Sequence, residues 1–530
     1  MNTMDTDVLI VGAGPTGLML ANQLTRRGVR VMIVERNAGP SRQTRALGVQ
    51  ARTLEIYAHL GIDEQAVALG KRGDGAQLWA QGRRTARVPL IDAGSDQTPY
   101  PYLLVLGQDD NERLLGERLA AGGHTVHWNT ELVALVSHPD HAEATLAEAD
   151  GTTRTVRARW VAGCDGHRSR VRELNGVAFP GAPYEHVFFV ADVRARGAMV
   201  PDELNVFLWR DGFHLFFPMR GEHHWRIVGI LPPALRGADG LTFEQVMPSL
   251  AGRTGLDLEI DGCDWFSTYR IHHRHAARFS AGRSFLLGDA AHVHSPVGAQ
   301  GMNTGLQDAY NLAWKLALVV HGRADAGLLD TYERERLPVA RRLLDTTDRG
   351  FRLVVSDHPI AGVLRTKVLA RIAAAVMRRP RIQRAAFRTV SQIGIHYRNG
   401  PLAHAVSHLP PDAPQPGDRF PWLRLAMQPS HAPVDLYRHL DDLHFHLLVV
   451  GQPAPDIAGY EDVLRIHAIP AEDNRDACAR AHIPLPSFFL LRPDGHVGCS
   501  GRRLAQDDVV AYLERHVRLR PGSCAPAMAR

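Results

Sequence analysis

The first 35 residues leave this chain little choice but a strand–turn–helix–strand unit. Thr6 to Val11 reads as a buried strand, and Gly12-Ala13-Gly14-Pro15-Thr16-Gly17 follows it directly. Leu18 to Arg27 carries a helical pattern, Gly28 stops it, and Val29 to Glu35 returns to strand. Each glycine has its own task. Gly12 permits the tight turn, Gly14 lets the backbone approach a diphosphate, and Gly17 lets helix and strand pack closely. Pro15 and Thr16 open the helix, whose free N–H groups and positive dipole end suit a phosphate anion. Glu35 ends the second strand 18 residues past Gly17, where a carboxylate accepts from ribose hydroxyls, and Arg36 adjoins it. An acidic residue there favours FAD or NAD over a carrier with a 2′-phosphate.

At 530 residues the chain has room for roughly three domains. Its 61 basic and 56 acidic residues are interspersed, which points to solubility rather than a nucleic-acid surface. The five cysteines form no CxxC pair, which argues against a disulfide framework or a zinc site and fits a reducing compartment. Asp5 and Asp7 precede the first apolar run, so it does not read as a signal peptide. Leu312 to Val320 is too short for a membrane span and contains Lys315. A cytoplasmic protein is the expectation.

From Val187 to Ile230 the pattern changes. His186–Val193, Leu204–Arg210, Gly212–Pro218 and Trp225–Ile230 read as short strands separated by turns, which predicts a mostly antiparallel sheet inserted into an α/β framework. Phe207 and Trp209 alternate on one face, as do His214 and Phe216, so these four are the expected substrate wall. Six prolines between Gly400 and Pro421 mark a boundary, since such a stretch can neither continue a helix nor fill a central strand. Behind it, His444–Val450, Ser487–Leu491 and Gly495–Cys499 read as strands and Gln506–Val517 as a closing helix. The expected division is 1–72, 103–176 and 277–400 for a nucleotide-binding domain with helical extension. Residues 73–102 and 177–276 form a substrate domain, and 401–530 a C-terminal domain.

Two further motifs narrow the chemistry. A strand runs into Gly288-Asp289-Ala290-Ala291-His292, followed by Pro296, Gly298, Gly301, Met302 and Asn303. Asp289 at a strand end is placed to bind a polyol, and the helix from about Thr304 turns its positive end towards whatever the loop surrounds. Gly163-Cys164-Asp165-Gly166-His167-Arg168-Ser169 is the third element. Together the three resemble the signature of the p-hydroxybenzoate hydroxylase family, the single-component flavoprotein monooxygenases. The resemblance implies FAD, with Asp165 serving both flavin and nicotinamide, and Gln108, four residues before Glu112, as a flavin-contacting glutamine. It also places Arg45 near the flavin and Pro296 at the ring edge, the two residues expected closest to the chemistry. Pro416-Gly417-Asp418-Arg419-Phe420-Pro421 and Leu491-Arg492-Pro493-Asp494-Gly495 resemble the linker and thioredoxin-like tail of the phenol- and polyketide-hydroxylase branch. Without a CxxC pair that tail is structural.

The fold class expected is therefore α/β. It comprises a Rossmann-like FAD-binding domain, an inserted antiparallel sheet and a thioredoxin-like C-terminal domain. The resemblance implies that NADPH or NADH, as a transient co-substrate, reduces the flavin. Oxygen then forms a hydroperoxide at flavin C4a that hydroxylates an aromatic substrate of phenolic or polyketide type. Only one GxGxxG is present, which fits a nicotinamide that visits and leaves. Baeyer–Villiger or epoxidising chemistry on a polyketide, an oxygen-independent reductase or dehydrogenase, and a non-catalytic flavin-binding protein are the alternatives. No nucleic acid, membrane or metal partner is expected, and homodimerisation stays open. His272, His273 and His275 have poor ligand spacing beside Arg270 and Arg274. The arginine-rich stretch Leu364 to Arg388 is expected to pack on the core or a partner subunit.

Overall fold

The computed structural model describes residues 4–41, 46–209, 212–235, 238, 240–255, 258–293, 300–355 and 379–522. Its first sheet runs Ser280–Ala281, Ser284–Leu286, Thr153–Gly163, Thr6–Val11, Val31–Val34, Val126–His127. Thr6–Val11 lies at its centre, parallel to Thr153–Gly163 on one side and to Val31–Val34 on the other. Both faces are covered, so Val8, Leu9 and Ile10 are wholly buried and the strand reads as an unbroken apolar run. The crossover helix Pro15–Thr25 packs against the helix Gly301–Val320. Their approach is close: a Cβ on Gly305 would lie 2.4 Å from the Thr16 hydroxyl oxygen.

The second sheet has eight strands: His292–Val293, Glu259–His275, Gly181–Arg196, His224–Ile230, Gly212–Pro218, Leu204–Trp209, Gly75–Ala80, Arg83–Pro89. Its pairings are antiparallel except for Leu204–Trp209 against Gly75–Ala80, which is parallel. One face looks towards the first sheet. The other packs Phe189, Phe207, Phe216 and Trp225 under Val246 and Leu250 of the helix Phe243–Thr254. Both faces are therefore cores.

The C-terminal sheet runs His404–Ala405, Val497–Gly501, Ser487–Leu491, Phe445–Val450, Leu464–Ile469. It is joined to the rest through buried charge. Arg492 binds Glu335 at 2.6 Å and Asp494 at 2.5 Å, and Lys315 binds the other Glu335 oxygen at 2.8 Å. Arg52 donates to the Asp494 carbonyl at 2.6 Å, and Arg419 pairs with Glu55 at 2.5 Å. All these side chains are at most 6% exposed, so each charge depends on its partners. Among the described residues no helix is long and apolar enough to cross a membrane.

This cluster predicts an acid limit. Burial alone would raise the Glu335 carboxyl, but Arg492 and Lys315 outweigh it and bring its pKa from 4.5 to about 2. A carboxyl lowered on folding stabilises fully above its unfolded pKa and loses that contribution as the pH falls through the folded one. Melting temperatures should therefore fall as the pH drops from 4.5 towards 2, and Glu335→Gln should flatten that slope while lowering stability at neutral pH. Thermal unfolding followed across that range checks it.

Candidate functional site

A cavity of about 1070 Å³ opens where the carboxyl ends of the first sheet meet the inner face of the second. The glycine turn forms one wall. Gly12 has φ +103°, and a Cβ there would stand 2.4 Å from the Cys164 carbonyl oxygen, so no other residue fits. A Cβ on Gly17 would lie 2.0 Å from the Gly12 oxygen, which presses the helix start against the turn. Gly14, by contrast, has nothing within 4 Å of a Cβ and presents bare backbone to the cavity.

Glu35 and Arg36 line the same end. Glu35 accepts from the Ala13 amide and from the Asn37 amide, each at 3.0 Å, so its carboxylate also holds the glycine turn in place. Gln108 donates to Glu112 at 2.8 Å, and the other Glu112 oxygen accepts from the Ser41 amide at 3.0 Å. Burial raises the Glu112 carboxyl, and the nearby Glu35 charge adds to the effect.

Asp165 lies on the opposite rim and accepts the Arg170 and Val171 amides on Oδ2, at 2.6 and 3.1 Å. Its Oδ1 is buried and takes no protein partner among the described residues. Desolvation raises this carboxyl against those two amides and the Ser169 side chain. Gly288 and Asp289 reach the cavity at the end of Ser284–Leu286, with Asp289 exposed towards it. The anchor of this corner is Asp308, whose Oδ2 accepts the Gly288 amide at 3.0 Å and holds His292 Nε2 at 2.7 Å. Arg336 pairs with the other oxygen at 2.6 Å and bonds the Tyr397 hydroxyl and the Thr304 carbonyl, both at 3.0 Å. His292 is thus part of the framework rather than the cavity wall.

Twelve residues singled out in the sequence meet around this space: Gly12, Gly14, Pro15, Thr16, Glu35, Arg36, Gln108, Asp165, Gly288, Asp289, Gly301 and Met302. Gly17 stands behind them in the helix packing. Asn303 also lies outside the cavity wall, which corrects its expected role. It is wholly buried, accepts from the Gln50 amide at 2.9 Å and Thr53 at 2.7 Å, and donates to the Gly48 carbonyl at 2.7 Å. Arg45, Pro296 and Gly298 lie outside the described residues.

The expected substrate wall is corrected too. Phe207, Trp209, His214 and Phe216 face away from the cavity. Phe207 stacks on Trp79 at 5.4 Å and meets Phe216 at 5.0 Å, and Trp209 packs on His214 and under Arg253. Burial lowers the pKa of His214 to about 3, so it stays neutral in that core. Strand register explains the inversion. Val190 pairs with Val228 and Ser267, Val228 with Leu215, and Phe188 with Tyr269. With a side-chain period of two, this set shares the inner face with Phe217 and Trp265. Val190, Leu215, Phe217, Val228, Trp265 and Tyr269 line the cavity. The Tyr269 hydroxyl is raised by burial and takes no protein partner among the described residues. Arg168, Arg172, Arg270 and Arg274 complete the wall on the Asp165 side, with Arg172 fixed by the Ala290 and His167 carbonyls at 2.9 Å each.

A family model described as an FAD binding domain matches residues 5–347. The chain belongs to this FAD-binding family. It is 34% identical over 98% of its length to the 6-methylpretetramide 4-monooxygenase of Streptomyces rimosus, covering 95% of that protein. It is 33% identical over 93% of its length to the pentachlorophenol 4-monooxygenase of Sphingobium chlorophenolicum, covering 86% of that protein. Among solved structures it resembles the flavin-dependent monooxygenase PieE in complex with FAD and substrate. That likeness has a TM-score of 0.81 at 25% identity and covers 97% of this chain and 100% of the other. As an FAD-binding family member the chain has a cavity of the right kind. The open backbone at Gly14 leaves room for a diphosphate, and the unpartnered Asp165 Oδ1 offers an acceptor.

Proposed function

We propose that this flavin-dependent aromatic monooxygenase hydroxylates a planar, phenolic or polyketide-type ring system, using NADPH or NADH as the source of electrons. The observation that carries the reading is the continuity of one cavity from the glycine turn to a largely apolar sheet face. FAD, when bound, accepts hydride and activates O2. The chain's own residues bind and orient. The backbone of Gly12, Gly14, Pro15 and Thr16 receives the diphosphate, and Glu35 the ribose, with Arg36 beside it. Gln108, Asp165 and Asp289 hold the rest of the chain of hydroxyls, and Gly301 and Met302 bring the positive end of a long helix to the ring.

On the sheet face, Val190, Leu215, Phe217 and Val228 exclude water from the ring, and Trp265 offers a stacking surface. The Tyr269 hydroxyl, protonated at neutral pH like any phenol and pushed further up by burial, orients a substrate oxygen as a donor. Arg168, Arg172, Arg270 and Arg274 give the nicotinamide dinucleotide's anionic diphosphate a place on the same wall.

NAD(P)H oxidation screened over phenols, anilines and polyketide aromatics under ¹⁸O₂ tests the reading. The expected result is oxidation stimulated by substrate, with one labelled oxygen in the product. Unstimulated oxidation and no label across the panel would overturn it. Parity gives a sharper check. Phe217→Ala should raise KM for the substrate by about tenfold, the loss of one ring contact of about 1–1.5 kcal/mol. Phe216→Ala, one residue away and wholly buried on the other face, should leave KM unchanged and cost about 3–5 kcal/mol of stability.

A further inference from the structure

The hairpin formed by Glu131–Ser137 and Ala142–Ala147 lines the cavity at its base through Glu131 and Leu132 and carries the sequence His138-Pro139-Asp140-His141-Ala142-Glu143 at its tip. The turn brings the two histidines opposite one another, with the His138 amide bonded to the His141 carbonyl at 2.8 Å. Their rings stack at 4.5 Å and 14°. Glu143 stands two residues beyond His141 and so projects to the same face of the strand. Its carboxylate lies 3.7 Å from His138 Nε2 and 3.6 Å from His141 Nε2.

Those separations are too long for hydrogen bonds, and both Nε2 atoms are buried without a hydrogen-bond partner. An ion could gather the three groups once the two nearly parallel rings turn so that both Nε2 lone pairs point at it. With bonds of about 2.0–2.2 Å, neighbouring ligand atoms around a tetrahedral zinc lie about 3.3–3.5 Å apart. The three ligand atoms here are all within 4.8 Å of one another. The outer contacts agree. His141 Nδ1 sits 2.8 Å from the Asp140 carboxylate, which fixes the proton on Nδ1 and leaves the Nε2 lone pair for a metal. Arg157 donates to Glu143 Oε1 at 2.9 Å, orienting the carboxylate and leaving Oε2 for the ion.

We propose that His138, His141 and Glu143 form a zinc site at the tip of this hairpin, with a fourth position open to water. Two imidazoles and one carboxylate select a borderline transition cation over magnesium or calcium, which prefer all-oxygen ligand sets. The ion would tie the turn to the following strand. It stands apart from the flavin chemistry and would survive a failure of the functional reading above.

The test uses untagged, flavin-loaded protein stripped with EDTA and titrated calorimetrically with zinc chloride, with magnesium chloride as control. Because the chain holds 28 histidines, the comparison is with a triple variant, His138→Ala/His141→Ala/Glu143→Gln. One zinc per chain that disappears in the triple variant supports the site, as does a loss of about 10–100-fold in affinity for Asp140→Asn. Flavin content and melting in EDTA should match the parent in all of them. X-ray absorption on the parent should show nitrogen and oxygen ligands from two imidazoles and a carboxylate. No zinc binding to the parent, or equal binding to the triple variant, would overturn the proposal.

Discussion

Asp308→Asn should give a protein that purifies nearly colourless and melts well below the parent. The substitution keeps shape and removes one charge. Arg336, wholly buried, then faces a neutral amide where it had a carboxylate at 2.6 Å, and the His292 contact at 2.7 Å loses its anion. Removing one partner of a buried ion pair costs about 3–5 kcal/mol because the other charge is left uncompensated. The loss falls on one corner of the cavity. Asp308 also receives the Gly288 amide, so the turn that presents Asp289 is released together with the helix start at Thr304. The visible flavin absorbance per unit of protein and the melting temperature measure both effects. Full flavin content with a melting point within about 2 °C of the parent would refute this anchoring role.

The second large effect belongs to Arg492. Its guanidinium is the cation shared by Glu335 and Asp494, and all three are buried. In Arg492→Met, Glu335 keeps only Lys315 as a salt-bridge partner and the Asp494 carboxylate loses its paired cation, again a cost of about 3–5 kcal/mol. The consequence should appear at the junction with the tail. Limited proteolysis within the proline-rich stretch 401–421 should accelerate strongly, while flavin stays bound until the tail is cut. Arg492→Lys separates charge from geometry. A lysine keeps the charge but cannot hold two carboxylates with a planar fork, so it should fall between parent and Met variant. Equal protease resistance in all three proteins would show that the apolar core of the tail, not this cluster, secures it.

The opening strand–helix–strand unit and the corner around Asp289 were legible because their signals are local. A glycine turn, a helix start and a terminal Glu35 stand in fixed order over a short span. The substrate face was not legible, for a definite reason. Every residue of Gly212–Pro218 is buried, since helix Phe243–Thr254 covers one side and the cavity region the other. Alternation distinguishes a wet face from a dry one and says nothing when both are dry. Counting aromatic rings then favoured His214 and Phe216 over Leu215 and Phe217. Trp265 and Tyr269 lay in a long strand, Glu259–His275, that no turn signal set apart. The buried charges were hidden differently. Arg492 and Glu335 are 157 residues apart, and nothing in either neighbourhood announces the other. Asn303 looked like a ligand contact because it sits in a motif, yet its side chain bonds to Gly48, Gln50 and Thr53.

The eight-stranded sheet has a consequence for how such a chain can change over generations. Neighbouring positions on one strand have different surroundings: Leu215 and Phe217 line the cavity, whereas His214 and Phe216 pack against aromatic side chains on the other face. Drift in the molecules accepted can proceed through every second residue while the packing on the helix-covered face is kept. Compensating substitutions that improve that packing can accumulate at the intervening residues without altering what is accepted. A lineage built on this sheet can therefore explore new compounds and repair itself at separate sites, and libraries that randomise alternate positions would follow the same route.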